Sequence, residues 1–246
     1  MKFLSFLLAA VLMLSCSKDG NSDAATAASS TGKGGSLARF TIVGNHLYLV
    51  DDYALNVYNI STPQQALFSR TINLRNGIET IFPYKDKLFI GSTDGMFIYS
   101  IADPQSPVLL GEAHHTRSCD PVVANDSIAF VTLRGNQPCG PAQDGLYTYD
   151  IKNLLMPKLI DTRLIPTPAG LGLQDQYLYV CQKNNGLSIY NVSNPAVPVL
   201  EKKITNRVFE DVICYENMLI CYVSSGIATY DITDRKNPVM LSEINY

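Results

Sequence analysis

The chain has 246 residues, 46% of them hydrophobic and 9% aromatic, which is ample material for a core. Its formal net charge is −3, with no run of like charges. A mildly acidic chain of this kind lacks the clustered Lys and Arg by which nucleic acid is held, and it carries no charged interaction tail.

Residues 1–15 predict a lipoprotein signal peptide. Lys2 supplies the positive start, and the apolar stretch 3–14 is shorter than the roughly 20 residues a spanning helix needs. The stretch ends in Met13, Leu14, Ser15 and Cys16, which resembles the bacterial lipoprotein box, although Met13 is an unusual residue at its place. In that box the cysteine receives diacylglycerol, so Cys16 is the candidate lipidation site, and its acyl chains would hold the protein at a membrane by apolar burial. Ordinary cleavage near Ser15, with Cys16 incidental, is the other reading. Residues 17–36 contain almost nothing that could enter a core, so 16–36 reads as the lipidated cysteine and a flexible linker. Its typical span is about 25 Å by random-coil scaling. Ser17 stands where an aspartate would resemble an inner-membrane retention signal. The expectation is an outer-membrane lipoprotein facing the periplasm or the cell surface.

From residue 37 to 246 one short strand is written five times: 55–60 (LNVYNI), 96–101 (MFIYSI), 146–151 (LYTYDI), 187–192 (LSIYNV) and 227–232 (IATYDI). Its tyrosines, Tyr58, Tyr99, Tyr149, Tyr190 and Tyr230, recur at about 40 residues, with one longer step between Tyr99 and Tyr149. Four residues before each stands Ala54, Gly95, Gly145, Gly186 or Gly226, and glycine there suits a turn with positive φ. Eight residues after each stands Ala66, Pro107, Pro157, Pro198 or Pro238; proline lacks the N–H, so it should open an outer strand. Another apolar strand precedes each tyrosine strand, for example LYLV at 47–50 and LYVC at 178–181, and tight turns such as Gly44 with Asn45 lead back to a first strand. Each unit is therefore four short antiparallel strands. The two middle strands are apolar on both faces, which a blade sandwiched between neighbours requires and a freestanding hairpin does not. The fold class predicted is all-β, a five-bladed β-propeller of four-stranded antiparallel blades.

Stretches such as LYVCQKNNGLSIYNVSNPAVPVL and LFIGSTDGMFIYSIADPQSPVLL resemble the LVIVD-repeat family, whose consensus runs strand, glycine turn, strand and Asp-Pro turn. The resemblance covers all five units, most strongly the second and fourth. The first departs from it at Ala54 and Ala66, and the third by an insertion. It implies a secreted or surface propeller and no particular chemistry.

In such a ring the loops from second to third strand and from each blade to the next share one face. The oddities of the sequence fall there. Arg75 with Glu79, Arg117 with Asp120, and Arg207 with Glu210 and Asp211 would converge near the axis. One reading is a rim around a polar pocket, whose guanidinium forks suit carboxylate, phosphate or sugar hydroxyls. The other is a set of local salt bridges closing the channel mouth. The adjacent His114 and His115 point to opposite faces of an extended chain, so no metal site is expected, and no cofactor is implied. Cys119 and Cys139 lie in loops of that face in an oxidising compartment, which predicts a disulfide stapling the insertion. Cys181, Cys214 and Cys221 are expected to be buried as small apolar side chains, and the repeated tyrosines to pack with their hydroxyls on neighbouring turns.

No G-x-S-x-G nucleophile motif or phosphate loop is present, and the catalytic residues are unknown. The leading expectation is a non-enzymatic binding or scaffold module, tethered to a membrane by lipid, with a protein or glycan ligand. The alternative is a carbohydrate-active enzyme, which needs two carboxyls flanking a bond; Glu79, Asp120, Glu210 and Asp211 are its candidates.

Overall fold

The structure, a computed structural model, describes residues 34–118, 121–135 and 140–246. The expectations placed on the signal segment, Cys16, Cys119, Asp120 and Cys139 lie outside the described residues.

Five sheets follow one another along the chain, each built from four consecutive strands. Blade 1 contains β1 (Phe40–Val43), β2 (His46–Val50), β3 (Ala54–Asn59) and β4 (Leu67–Asn73). Blade 2 contains β5 (Ile78–Tyr84), β6 (Lys87–Ser92), β7 (Gly95–Ser100) and β8 (Val108–His114). Blade 3 contains β9 (Val122–Ala124), β10 (Ile128–Leu133), β11 (Gly145–Asp150) and β12 (Lys158–Leu164). Blade 4 contains β13 (Pro168–Gln174), β14 (Tyr177–Gln182), β15 (Gly186–Asn191) and β16 (Val199–Ile204). Blade 5 contains β17 (Phe209–Tyr215), β18 (Met218–Val223), β19 (Gly226–Asp231) and β20 (Val239–Asn245). All pairings are antiparallel and sequential, so among the described residues no blade borrows a strand from another. The arrangement is a five-bladed β-propeller. We call the face holding the second-to-third turns and the blade-to-blade loops the upper face.

The register explains the repeat. In every blade the pairing of third and fourth strands shifts at the repeated tyrosine: between Val57 and Tyr58, Ile98 and Tyr99, Thr148 and Tyr149, Ile189 and Tyr190, and Thr229 and Tyr230. A bulge on the outer strand at that point bends it and increases its twist. The positive φ expected of the glycines holds at two of the four and does not explain the rest. Only Gly186 and Gly226 have positive φ; Gly95 and Gly145 do not. What the four share is the outer-strand carbonyl beside them: a Cβ would lie 2.5 Å from the Ala113 oxygen at Gly95 and 2.0 Å from the Ile204 oxygen at Gly186. The repeated tyrosines also differ from expectation. Tyr99, Tyr149, Tyr190 and Tyr230 are buried, but the Tyr230 hydroxyl has no hydrogen-bond partner. Tyrosine hydroxyls on other strands reach a neighbouring blade's turn: from second strands Tyr48 donates to the Pro104 carbonyl at 2.9 Å and Tyr179 to the Arg235 carbonyl at 2.7 Å, and from a first strand Tyr84 donates to Asp126 Oδ2 at 3.2 Å.

Four hydrophobic clusters fill the spaces between blades 1 and 2, 2 and 3, 3 and 4, and 4 and 5. Each fully buried Leu, Ile or Phe in them contributes about 1.5–3 kcal/mol. Cys181 and Cys221 sit in the last cluster, where burial pushes both thiols up, and with Cys214 they form no disulfide. Between blade 5 and blade 1 no such cluster forms among the described residues. Ile90, Val131, Val180 and Cys221 occupy one position of the second strand on the face toward the preceding blade, each at most 1% exposed; its blade 1 counterpart, Leu49, is 36% exposed. On the facing side of blade 5, Tyr222 is 46% exposed where Val50, Thr132 and Cys181 are buried. The ring carries a seam.

Candidate functional site

The five first strands converge on a central channel, and the segment ahead of β1 runs into it. Gly34, Gly35 and Ser36, which composition assigns to the linker, are packed among the blades. A turn closed by the Ala38 amide on the Gly35 carbonyl, at 3.1 Å, carries Ser36 and Leu37 across the channel. Ser36 is fully buried; its hydroxyl donates to Asp211 Oδ1 at 3.1 Å and accepts from the Leu171 amide at 2.7 Å. The Leu37 amide donates to Asp211 Oδ2 at 3.2 Å, and the Ile81 amide to the Ala38 carbonyl at 2.8 Å. The leader thus ties blades 2, 4 and 5 together. Gly35 and Gly170 make room for the Asp211 carboxylate, since a Cβ on either would lie about 2 Å from an oxygen of it (2.2 and 2.0 Å). Burial pushes Asp211 up to about 6 against the opposing hydrogen bonds from Val212, Leu37 and Ser36.

A cavity lies on each side of the turn. The lower one, about 360 Å³, is mostly apolar and is lined by Gly34, Phe82, Val123, Leu171, Val212 and Cys214 among others. The upper one, about 340 Å³, gathers charge: Arg39, Arg134 and Lys183 with Glu79 and Glu210, beside Leu37, Pro121 and Ala169. Its acids are placed by bulges. Between Ile78 and Thr80, and again between Phe209 and Asp211, the inner strand carries one residue more than its partner, and the extra residues are Glu79 and Glu210. Such bulges re-aim side chains next to sites. Its cations come from blade ends. Arg134 and Lys183 follow the second strands of blades 3 and 4, and Arg39 precedes β1. Lys183 Nζ lies 2.9 Å from Glu210 Oε2. Arg39 Nη2 donates to Asp52 Oδ1 at 2.7 Å and to the Ile78 carbonyl at 3.3 Å. Arg134 Nε is buried without a hydrogen-bond partner.

Of the seven residues predicted to meet at the axis, the structure brings Glu79 and Glu210 to the upper cavity. Asp211 lies beneath it, sealed by the leader. Arg75 and Arg207 do not join them. Each turns outward to an acid on the outer strand of its own face: Arg75 Nη2 to Glu112 Oε1 at 3.3 Å, with its guanidinium over the Phe97 ring, and Arg207 Nη1 to Glu243 Oε1 at 2.5 Å. The expected local pairing of Arg75 with Glu79 and of Arg207 with Glu210 is therefore replaced by pairs reaching the outer strand of the blade that each arginine leads into. Arg117 takes part through its backbone, accepting from the Ala142 amide at 3.2 Å. His114 hydrogen-bonds Glu112 and His115 the Thr116 carbonyl. The cations that line the cavity, Arg39, Arg134 and Lys183, were not selected from sequence. The signal for two of them was present: both are the first residue after a second strand.

A ring of blades with a charged cavity at one mouth of a plugged channel defines a propeller of the scaffold and binding class. The LVIVD repeat model matches residues 170–205, which cover most of blade 4. That match and the five like blades fit an LVIVD-repeat β-propeller family. No curated protein matches the chain. Among solved structures, it is similar to the computationally designed Ika8 protein, with 13% identity and a TM-score of 0.60 over 83% of this chain and 60% of that one. A protein from Lactobacillus plantarum shares 12% identity and a TM-score of 0.63 over 82% and 68%. A functionally unknown protein from Desulfotomaculum acetoxidans shares 12% identity and a TM-score of 0.52, over 82% of each chain. At these identities the likeness concerns the fold alone.

Proposed function

We propose that this protein is a lipid-anchored extracytoplasmic binding protein whose upper cavity takes a small acidic glycan or another hydroxylated carboxylate. The observation that carries the reading is the mixed lining of that cavity. Arg39, Arg134 and Lys183 offer donors to a carboxylate, and Glu79 and Glu210 offer acceptors to hydroxyls. Arg134, with a buried Nε lacking a partner, is the cation with the most to gain from an acidic ligand. The anchor rests on the residues around Cys16. Glycoside cleavage is the weaker reading: Lys183 already occupies Glu210, and Asp211 is committed to the leader.

The test is calorimetric titration of the protein with glucuronate and galacturonate oligosaccharides, alongside their neutral counterparts. Binding of the acidic set, lost about tenfold or more in Arg134→Met with the melting temperature kept, is the expected result. Equal binding by wild type and Arg134→Met, or none by either, removes the pocket reading.

A further inference from the structure

Among the described residues the seam between blade 5 and blade 1 leaves two sheet faces without a blade packed on them, and each lacks what the other presents. At four places in the ring, the outgoing face of one blade packs on the incoming face of the next. Blade 1 has an incoming face with Ile42, Leu47 and Leu49 at its centre; in a single copy Ile42 and Leu49 are exposed and Leu47 is half-buried. Blade 5 has an outgoing face with Ile220, Tyr222 and Ile227, of which Tyr222 is exposed and the two isoleucines half-buried. Among the described residues the inner edges near the axis are linked through the leader, by the Ser36 hydroxyl and the Leu37 amide on Asp211.

The chemistry of the two faces is that of a surface visited by both water and protein. On the third strand of blade 1, Asn56 accepts from the Thr71 hydroxyl at 2.6 Å, where blade 2 has the buried Phe97. On blade 5 the Thr229 and Ser242 hydroxyls pair at 2.8 Å, where blades 2 and 4 have the buried Ile98 and Ile189. Tyr222 stands where other blades have Val, Gly, Thr or Cys. An apolar centre with hydroxyl and amide groups toward the rim, and a tyrosine exposing its ring, is the composition of a protein interface.

We propose that the seam is a head-to-tail interface between copies of this chain, the outgoing face of blade 5 in one copy seating on the incoming face of blade 1 in the next. The occupant is set by continuity with the interface the ring already repeats: a surface shaped for an LVIVD-type blade face is met by the same kind of face. Such a contact is heterologous, so it generates a closed ring of copies or an open filament according to the angle between them. It does not depend on what the upper cavity binds.

The test uses full-length chains with two different tags, one carrying Leu49→Cys and the other Tyr222→Cys, co-expressed and mildly oxidised. Both positions are solvent-exposed, so the substitutions leave the fold in place, and circular dichroism checks this. Each variant expressed alone controls for links through native cysteines. The expected result is a disulfide-linked pair of differently tagged chains in the mixture that is absent from either variant alone, because residue 49 meets residue 222 and not another residue 49. Two results overturn the proposal. One is a link confined within single chains in the double variant L49C/Y222C, which shows that the ring closes on itself. The other is no link in either experiment.

Discussion

Asp211 is the side chain on which the leader hangs, and it does so at a cost. Its carboxyl accepts from Ser36 Oγ and the Leu37 amide, yet burial between Gly35 and Gly170 outweighs those bonds and pushes it up to about 6. The unfolded chain releases that proton near pH 4, about where an unperturbed aspartate does. The native state therefore holds the proton more tightly. The contribution to stability is fully present below about pH 4 and is lost as pH rises through 6. A shift of that size corresponds to about 3 kcal/mol. Asp211→Asn keeps an oxygen to accept from the leader and never ionises. Urea unfolding across this pH range should show wild type losing about 3 kcal/mol relative to the Asn variant between pH 4 and pH 7. A difference that stays constant with pH would mean that the carboxyl is not buried as described. From the sequence Asp211 looked like a rim acid, because it follows Arg207 by four residues at the entry of a blade. Its partner Ser36 is 175 residues away, in a stretch whose composition reads as tether, and nothing local joins the two.

Within a blade, the four strands and their turns were legible because each leaves a local mark: apolar middle strands, glycine before the tyrosine strand, proline before the outer strand. The bulges left none. A one-residue excess on an outer strand does not disturb the hydrophobic pattern of the inner ones, so the register shift beside each tyrosine is invisible until strands pair. The same holds for the inner-strand bulges that deliver Glu79 and Glu210 to the cavity. The arginines failed for a related reason: Arg75 and Arg207 have acids nearby in sequence, but the acids they meet, Glu112 and Glu243, stand across a blade. Equivalent positions make the burial of each element measurable. Ile90 and Leu49 align in the repeat, the first fully buried between blades 1 and 2 and the second at the seam. Ile90→Ala should cost about 2–5 kcal/mol by chemical denaturation. Leu49→Ala, measured at dilution low enough to keep chains apart, should cost under about 1 kcal/mol. Equal losses would show that blade 1 is covered on both faces in the monomer.

For the molecule as a whole, the count of blades was readable, whereas the way the ring ends was not. Leu49 sits in a strand that looks like every other copy, and Tyr222 and Asn56 depart from their counterparts at single positions, which mark a seam only once the pairing of faces in space separates an inner blade from an end one. That separation governs how the molecule comes apart. A repeat array is stabilised by each unit and by its contacts with neighbours, so a unit with one neighbour opens more readily than a unit with two. Blades 2, 3 and 4 pack on both faces, and blades 1 and 5 on one. The leader opposes this at the axis by linking blade 5 to the start of blade 1, but it does so through one carboxylate and leaves both sheets uncovered farther out. Amide hydrogen exchange at low protein concentration should therefore rank the middle strands. Those of blades 2, 3 and 4, β6, β7, β10, β11, β14 and β15, should exchange most slowly, and β2, β3, β18 and β19 earlier. Raising the concentration should slow exchange in blades 1 and 5 selectively, because a head-to-tail neighbour covers those two faces and no others. Uniform protection of all five blades at every concentration would mean a ring that closes without help, and the seam would then have no part in assembly.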